Sequence, residues 1–221
     1  MRYNPVNIVV PAYNDAGVLD ATLDSVAAQE YEAKKIFLFI VDFGSTDGTL
    51  EKAAARRTEQ TAVFRLAGKR VGRTMAADAV RALGSQAMGS RTILLWPGDV
   101  MYPHCLRTAE KWMRKRPAGM LIAEADIRDG KGNVRSQTPL FTKPGYIRGF
   151  SRDSSEYVRK GWRHAVLRYG GGYLPAHGKI ATQRNFDYWW NSLAYHGLFT
   201  NAIYVNTPLG CVRERMYADE L

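Results

Sequence analysis

Residues 36–41 form an uninterrupted apolar run that is as long as a typical β-strand and stops at Asp42. A strand with apolar side chains at every position needs cover on both faces, as strands in a parallel sheet have. The residues that follow Asp42 are rich in glycine, serine and aspartate, which favours a turn that leads into a helix. The run therefore predicts a buried strand of an α/β protein.

The same strand-then-helix pattern recurs through the first half of the chain. Strands are predicted at residues 6–10, 36–41, 61–66, 92–96 and 120–123. Helices are predicted between them, with Asn14 or Asp15 as the cap of the first and Pro103 at the start of the fourth. This alternation implies right-handed crossovers and a fold of class α/β, with a single, mostly parallel twisted sheet flanked by helices.

The alternation ends after Glu124. Residues 129–133 carry a strong turn signal and predict the tip of a hairpin, residues 185–196 predict a helix, and residues 202–205 predict a late strand. A chain of 221 residues favours one domain. The change of pattern divides that domain into a first half, about residues 1–124, and a smaller second half, about residues 125–221.

Composition indicates the cellular compartment of the protein. Cys105 and Cys211 are far apart, which argues against a disulfide scaffold and for a reducing compartment. No signal peptide is evident, and no apolar run approaches the ~20 residues that span a bilayer. We therefore expect a cytoplasmic protein, either soluble or peripheral at the inner membrane face.

The formal net charge of +10 favours anionic partners, although it can equally serve solubility. The basic residues are not interleaved with aromatic residues, so nucleic acid is not an expected partner. One basic cluster falls on the predicted fourth helix, where it is either a solvated face or a contact with anionic lipid. It consists of Arg107, Lys111, Arg114, Lys115 and Arg116.

Three predicted strand ends carry polar or acidic groups, in residues 11–15, 42–45 and 96–99. Ligands of open α/β sheets bind beyond the carboxyl ends of the strands. An aspartate there can accept a hydrogen bond from a base or a ribose, or ligate a hard cation. The alternative is that each aspartate only caps the following helix.

Residues 9–15 and 40–49 together resemble the opening of the family-2 glycosyltransferases of the GT-A fold. Those enzymes typically show a VIPxYNE-like strand end and a VDDGSTDGT-like turn, and residues 99–103 are similar to their DxD region and proline-led helix. The resemblance implies inverting transfer from a nucleoside-diphosphate sugar, with a UDP-sugar as the favoured donor. It also implies Mg²⁺ or Mn²⁺ and a glycan or lipid-linked acceptor. The first half of the chain is then the Rossmann-like nucleotide-binding half, and the second is the acceptor-side half.

The resemblance also assigns roles to individual residues. Base and ribose contacts fall on Pro11, Ala12, Tyr13 and Asp15, with Asp42 and Phe43 near the base. The DxD region ends at Gly98 and Asp99, and Asp99 is the implied metal ligand. Arg213 and Arg215 match a basic pair that reaches the diphosphate, and their alternate spacing lets both face one anion on a strand. Solvated surface charge is the alternative for this pair.

The chain departs from the family pattern at several positions. Phe43 replaces an acid that commonly accepts from the uracil N–H, and a phenyl ring can only stack on a base. Trp96 replaces the first DxD acid. The third helix has Ala77 and Asp78 in place of an Arg-Asn pair, so Arg73, one turn earlier, is the candidate for the missing cation.

The predicted late helix bears on catalysis. Asn185 stands where the family places its catalytic base, and an amide cannot accept the proton. Asp187 lies two residues on, ~200° around a helix, and is the alternative proton acceptor. Packing and helix capping explain Asp187 and its neighbouring tryptophans equally well. Two hypotheses remain open, an active glycosyltransferase and a degenerate one that binds nucleotide or glycan, or scaffolds a partner enzyme.

Overall fold

The computed structural model describes residues 3–66, 74–83, 91–115, 120–129, 131–135, 145–150, 173–175 and 200–213. Within these ranges the strands are β1 (Val6–Ala12), β2 (Ile36–Asp42), β3 (Thr61–Arg65), β4 (Arg91–Leu94), β5 (Val100–Met101), β6 (Met120–Arg128), β7 (Val134–Arg135), β8 (Gly145–Phe150), β9 (Tyr173–Pro175) and β10 (Thr200–Arg213). The helices are α1 (Leu19–Ala27), α2 (Thr49–Ala55), α3 (Thr74–Leu83) and α4 (Cys105–Lys115).

The first sheet has the strand order β3-β2-β1-β4-β9. Its first four strands are parallel, and β9 pairs with β4 in the antiparallel direction. Helices α1, α2 and α3 connect consecutive parallel strands, as the alternation predicts. The expected α/β architecture, a mostly parallel sheet flanked by helices, is confirmed for the first half of the chain.

Strand β2 is buried on both faces. Ile36, Leu38 and Ile40 point into one apolar cluster, which also contains residues of α1 and α4. Phe39 and Val41 point into a second cluster, which contains residues of α3. Side chains alternate between the faces of a strand, so only a continuous apolar run can fill both clusters. The prediction that residues 36–41 form a strand covered on both faces is confirmed.

The start of α1 differs from the prediction. The helix begins at Leu19, its cap is Val18, and no side chain caps it. The predicted caps, Asn14 and Asp15, lie earlier, and their side chains accept from the N–H groups of Thr46 and Tyr13 instead. Similarly, α4 begins at Cys105, and Pro103 lies in the turn before it.

A second sheet follows the first. Its strand order is β5-β10-β6-β7, and β8 also pairs with β10. Residues 120–123, the fifth predicted strand, belong to β6, which pairs in parallel with β10 rather than extending the first sheet. The predicted late strand lies within β10. The predicted hairpin joins β6 to β7, where the Asp129 carboxylate accepts from the N–H groups of Lys131 and Asn133.

Several predicted features fall outside the described residues. They are the late helix at 185–196 and the candidate site residues Arg73, Asn185, Asp187 and Arg215. Among the helices that the structure does describe, none has the length and apolarity to cross a membrane.

Candidate functional site

The strand order of the first sheet reverses on either side of β1. Strands β2 and β3 follow in one direction, whereas β4 lies on the other side of β1. Such a reversal opens a crevice beyond the carboxyl ends of the strands, where α/β proteins bind ligands. The ends of β1 and β4 border this crevice, and they bring the segments after Ala12 and Leu94 to the same edge.

The loops after β1 and β2, residues 13–18 and 43–48, bond to each other and are here called the loop pair. The Asn14 N–H donates to Ser45 Oγ at 2.9 Å, and the Thr46 N–H donates to Asn14 Oδ1 at 2.9 Å. The Asp15 N–H donates to Thr49 Oγ1 at 2.8 Å. These bonds fix one wall of the crevice and explain the polar residues of the GSTDGT turn.

Asp42 is fully buried at the end of β2, and its carboxylate supports the turn that follows. It accepts from the N–H groups of Gly44 and Ser45, each at 3.2 Å. The Arg65 guanidinium lies 3.8 Å from the same carboxylate. The helix-cap alternative is not observed for Asp42, because its bonds close the turn instead.

Phe43 does not offer a stacking surface. Its side chain is 0% exposed and belongs to the apolar cluster with Phe39, Val41 and α3. The expected base-stacking role of Phe43 is therefore wrong, because the position after Asp42 faces the core. The aromatic residues that border the crevice are Tyr13 and Trp96, which are only partly buried against the same cluster.

Asp99 lies beyond the end of β4 and is 3% exposed. Its Oδ1 accepts from the backbone N–H of Arg213 at 2.9 Å, which joins the crevice to β10. Thr22 of α1 braces this turn from below, since its hydroxyl accepts from the Gly98 N–H at 2.7 Å and donates to the Asp99 carbonyl at 2.9 Å. The structure therefore brings together Gly98, Asp99 and Arg213, which we call the β4–β10 corner.

Gly98 permits this close arrangement. Its φ is +89°, and an added Cβ would lie 3.1 Å from Arg213 Cδ and 3.5 Å from Val18 Cβ. The Arg213 side chain thus lies directly over Gly98, beside Asp99. The role of Arg213 at a diphosphate stays a prediction, but its position at the crevice agrees with it.

Sequence reasoning missed a polar cluster on the second sheet next to this corner. The Tyr102 hydroxyl donates to Asp126 Oδ2, and Asp126 is buried with no hydrogen bond to Oδ1 among the described residues. Burial, and then the Asp126 carboxylate, raise the pKa of the Tyr102 hydroxyl well above its usual range. Burial also raises the pKa of the Cys211 thiol, and Arg128 opposes that shift. The alternation of Asp126 and Arg128 along β6 was the available signal.

The described residues contain no group of three or more metal-ligating side chains. A single buried carboxylate such as Asp99 nevertheless fits Mg²⁺, which proteins often hold through one or two carboxylates together with substrate phosphates. The donor set at this corner is therefore compatible with a metal that is shared with a diphosphate.

A mostly parallel sheet whose strand order reverses at β1, with a buried carboxylate beyond the end of β4, is the arrangement in which open α/β proteins bind ligands. Residues 7–170 match the family model described as Glycosyl transferase family 2. The match extends over most of the chain, and the chain belongs to this family. The sequence matches no curated protein.

Solved structures support the same fold. The chain is similar to S. aureus TarS 1-349, with a TM-score of 0.71, 15% identity, and coverage of 95% of this chain and 60% of that one. The corresponding values are 0.71, 15%, 96% and 59% for its complex with UDP-GlcNAc, and 0.67, 16%, 95% and 60% for its complex with UDP. The chain thus spans about 60% of the length of these TarS structures.

Proposed function

We propose that the chain transfers a sugar from a nucleoside-diphosphate sugar, with inversion, to a glycan or lipid-linked acceptor. A UDP-sugar is the proposed donor, and Mg²⁺ or Mn²⁺ the proposed cofactor. The observation that carries the proposal is the buried carboxylate of Asp99 at the switch point, bonded to the Arg213 backbone. The family membership and the TarS complexes with UDP-GlcNAc and UDP support it.

The nucleoside would lie against the β1 side of the crevice. Tyr13 and Trp96 offer partly buried aromatic surfaces for a base, and Pro11 and Ala12 are the buried residues that end β1. Asp15 accepts from the Tyr13 N–H at 3.0 Å and so fixes the backbone at this edge. Because base–aromatic stacking tolerates any base, this arrangement favours a UDP-sugar less strictly than an acid at position 43 would.

The diphosphate would lie at the β4–β10 corner. Asp99 would hold the divalent cation, which when bound offsets the charge that develops on the leaving diphosphate. Arg213 lies over Gly98 and can pair with a phosphate oxygen. Thr22 fixes the Gly98–Asp99 turn through two buried bonds, so the carboxylate needs little reorganisation when the donor binds.

Transfer requires an acceptor hydroxyl to attack the sugar carbon opposite the diphosphate while a base takes the proton. Asp187 is the proposed base, with Asn185 beside it in sequence as a positioning group. For a lipid-linked acceptor, the basic face of α4 would approach the anionic membrane surface. On that face Lys111 is exposed, whereas Arg107 pairs with Glu30 at 2.7 Å.

A donor screen tests the proposal. UDP-, GDP-, CDP- and dTDP-sugars, each with and without Mn²⁺, should include one that raises the melting temperature of the wild type. Asp99→Ala should abolish that rise, and EDTA should reduce it. The absence of a shift with every donor would refute the proposed function.

A degenerate protein that binds a donor or glycan without transfer, or that scaffolds a partner enzyme, is the second candidate. Phe43 favours this candidate, because its buried phenyl ring offers no acceptor for a uracil N–H. Release of free nucleoside diphosphate from the donor separates the candidates. Release above background that is lost in Asp99→Ala supports the transferase, whereas binding without release supports the degenerate protein.

A further inference from the structure

Arg128 and Arg213 lie side by side on the second sheet. Strands β6 and β10 run parallel, and their register pairs Arg128 with Arg213 and Asp126 with Cys211. Paired residues of neighbouring strands share a face of the sheet, and the strands are ~4.8 Å apart. Both arginines are partly exposed. The two guanidinium groups therefore belong to one accessible face.

Two cations in register are unfavourable unless something neutralises them. Within the part of the chain that the structure describes, neither guanidinium forms an ion pair with a carboxylate. Arg128 lies near the Cys211 thiol, a weak acceptor that does not neutralise its charge, and opposes the rise that burial causes in the pKa of that thiol. The buried Asp126 carboxylate is instead bonded by the Tyr102 hydroxyl.

The pair borders the crevice already described. The Arg213 backbone donates to Asp99, and its side chain covers Gly98. Arg128 lies on β6, the strand next to β10 in the second sheet, so the two arginines lead from the β4–β10 corner onto that sheet. A group held by both would thus have one end beside Asp99.

We propose that Arg128 and Arg213 form a two-armed site for a phosphate or diphosphate group. Guanidinium groups match phosphate oxygens in a bidentate geometry, and an anion between the two arginines removes their mutual repulsion. The phosphate comes either from the donor diphosphate or from a phosphorylated acceptor. This choice of source rests on the proposed function, whereas the anion site itself does not.

Titration calorimetry of the full chain with inorganic pyrophosphate, without metal, tests the site. Arg128→Gln and Arg213→Gln should each weaken binding about 10- to 100-fold, as expected for charge-assisted hydrogen bonds. Arg57→Gln is the matched control, because Arg57 is an exposed arginine at the end of α2. Arg57→Gln should bind pyrophosphate as the wild type does, which would show that the loss of one positive charge is not enough to weaken binding.

Two further variants separate binding from folding. Arg128→Lys keeps the charge but not the planar fork, and should bind between wild type and Arg128→Gln at an unchanged melting temperature. Cys211→Ala removes the sulfur that Arg128 contacts, and should retain pyrophosphate binding. Equal affinities for Arg128→Gln and Arg57→Gln, or no pyrophosphate binding by the wild type, would overturn the proposal.

Saturating UDP identifies the source of the phosphate. If UDP competes with pyrophosphate, the pair holds the donor diphosphate. If pyrophosphate still binds in the presence of UDP, with the same dependence on Arg128, the pair holds a phosphate of the acceptor. Pyrophosphate binding without any response to nucleotide sugars would refute the proposed function and leave the anion site standing.

Discussion

Asp42 and Asp99 are both buried carboxylates, each at the end of a strand that flanks β1, yet their bonds differ. Asp42 is 0% exposed and bonds to Gly44 and Ser45, within three residues of itself. Asp99 is 3% exposed and bonds to the backbone of Arg213, 114 residues away. The first carboxylate closes a local turn, whereas the second joins two sheets at the crevice.

The walls of the crevice differ in the same way. In the loop pair, backbone N–H groups are bonded by side chains of the neighbouring loop, such as Ser45 and Thr49. At the β4–β10 corner, a carboxylate and an arginine side chain meet over a glycine. Bonds within the loop pair stabilise the fold, whereas the charged groups at the corner are the ones that we propose bind the donor.

Replacing each carboxylate with an amide should change a different property of the protein, donor binding for Asp99 and stability for Asp42. Asp99→Asn keeps an oxygen for the Arg213 N–H but loses the anionic metal ligand, so affinity for a UDP-sugar with Mn²⁺ should fall about 100-fold or more. Asp42→Asn keeps one oxygen for the Gly44 and Ser45 N–H groups, but it places an amide group beside the Ser45 N–H and loses the charge that faces Arg65. It should lower the free energy of unfolding by about 2–3 kcal/mol. Calorimetry and urea unfolding measure the two effects.

The two variants should show opposite profiles. Asp99→Asn should unfold within about 1 kcal/mol of the wild type, and Asp42→Asn should bind the donor nearly normally where it is folded. If both variants lost donor affinity and stability to the same extent, the two carboxylates would have the same role.

Thr22 allows the support of the β4–β10 corner to be tested. Thr22→Val keeps the shape of the side chain but leaves the Gly98 N–H and the Asp99 carbonyl without their buried partner. The free energy of unfolding should fall by about 2–4 kcal/mol, because both groups are unsatisfied. Donor affinity should fall with it, since the turn that carries Asp99 loses its support.

Thr22→Ser is the control, because it retains the hydroxyl. It should recover most of the stability and the affinity. If Thr22→Val and Thr22→Ser behaved alike, the lost methyl packing rather than the two hydrogen bonds would be responsible.

The sequence predicts the loop-pair side of the crevice better than the corner. The apolar run before Asp42 and the turn residues after it determine their structure locally, so the strand and the turn follow from spacing. The bond from Asp99 to Arg213 depends on how β10 inserts between β5 and β6, which no local pattern encodes. The predicted stacking role of Phe43 is wrong for a related reason. Its side chain points into the core because it continues the alternation of β2, which its aromatic chemistry does not reveal.

Two glycines, one in each wall of the crevice, share a backbone conformation but differ in their surroundings. Gly98 and Gly48 have φ values of +89° and +90°. Alanine at either position should cost about 1–2 kcal/mol of stability through backbone strain. Gly98→Ala should also weaken donor binding, since its Cβ would lie 3.1 Å from Arg213 Cδ, whereas Gly48 has no atom within 4 Å of a Cβ.

Urea unfolding and calorimetry on the two variants separate the effect of backbone strain from the effect of the contact with Arg213. Stability should fall similarly in both, and only Gly98→Ala should lose affinity. An equal loss of affinity in Gly48→Ala would show that strain in either loop reaches the ligand, and the distinction between the two walls would be lost.

Replacing Asp47 in the loop pair should change the free energy of unfolding only slightly. Burial raises the pKa of its carboxyl, but hydrogen bonds from the Thr49 hydroxyl and from the Ala16 and Thr49 N–H groups outweigh this and lower the pKa below 3.8. A lowered pKa means that this stability is present above pH 3.8 and is lost as the pH falls through the folded-state value. Asp47→Ala should therefore cost about 0.5–1 kcal/mol at pH 7, a small amount because the side chain is exposed.

The difference in unfolding free energy between wild type and Asp47→Ala should shrink as the pH is lowered from 5 to 3. Asp24→Ala, at an exposed ion pair with Arg56, serves as a charge-matched control. A difference for Asp47→Ala that stays constant with pH would show that the carboxylate charge is not what joins the loops. Donor affinity at pH 7 should stay near that of the wild type, because the hydrogen bonds of Asp47 among the described residues lie within the loop pair and the start of α2.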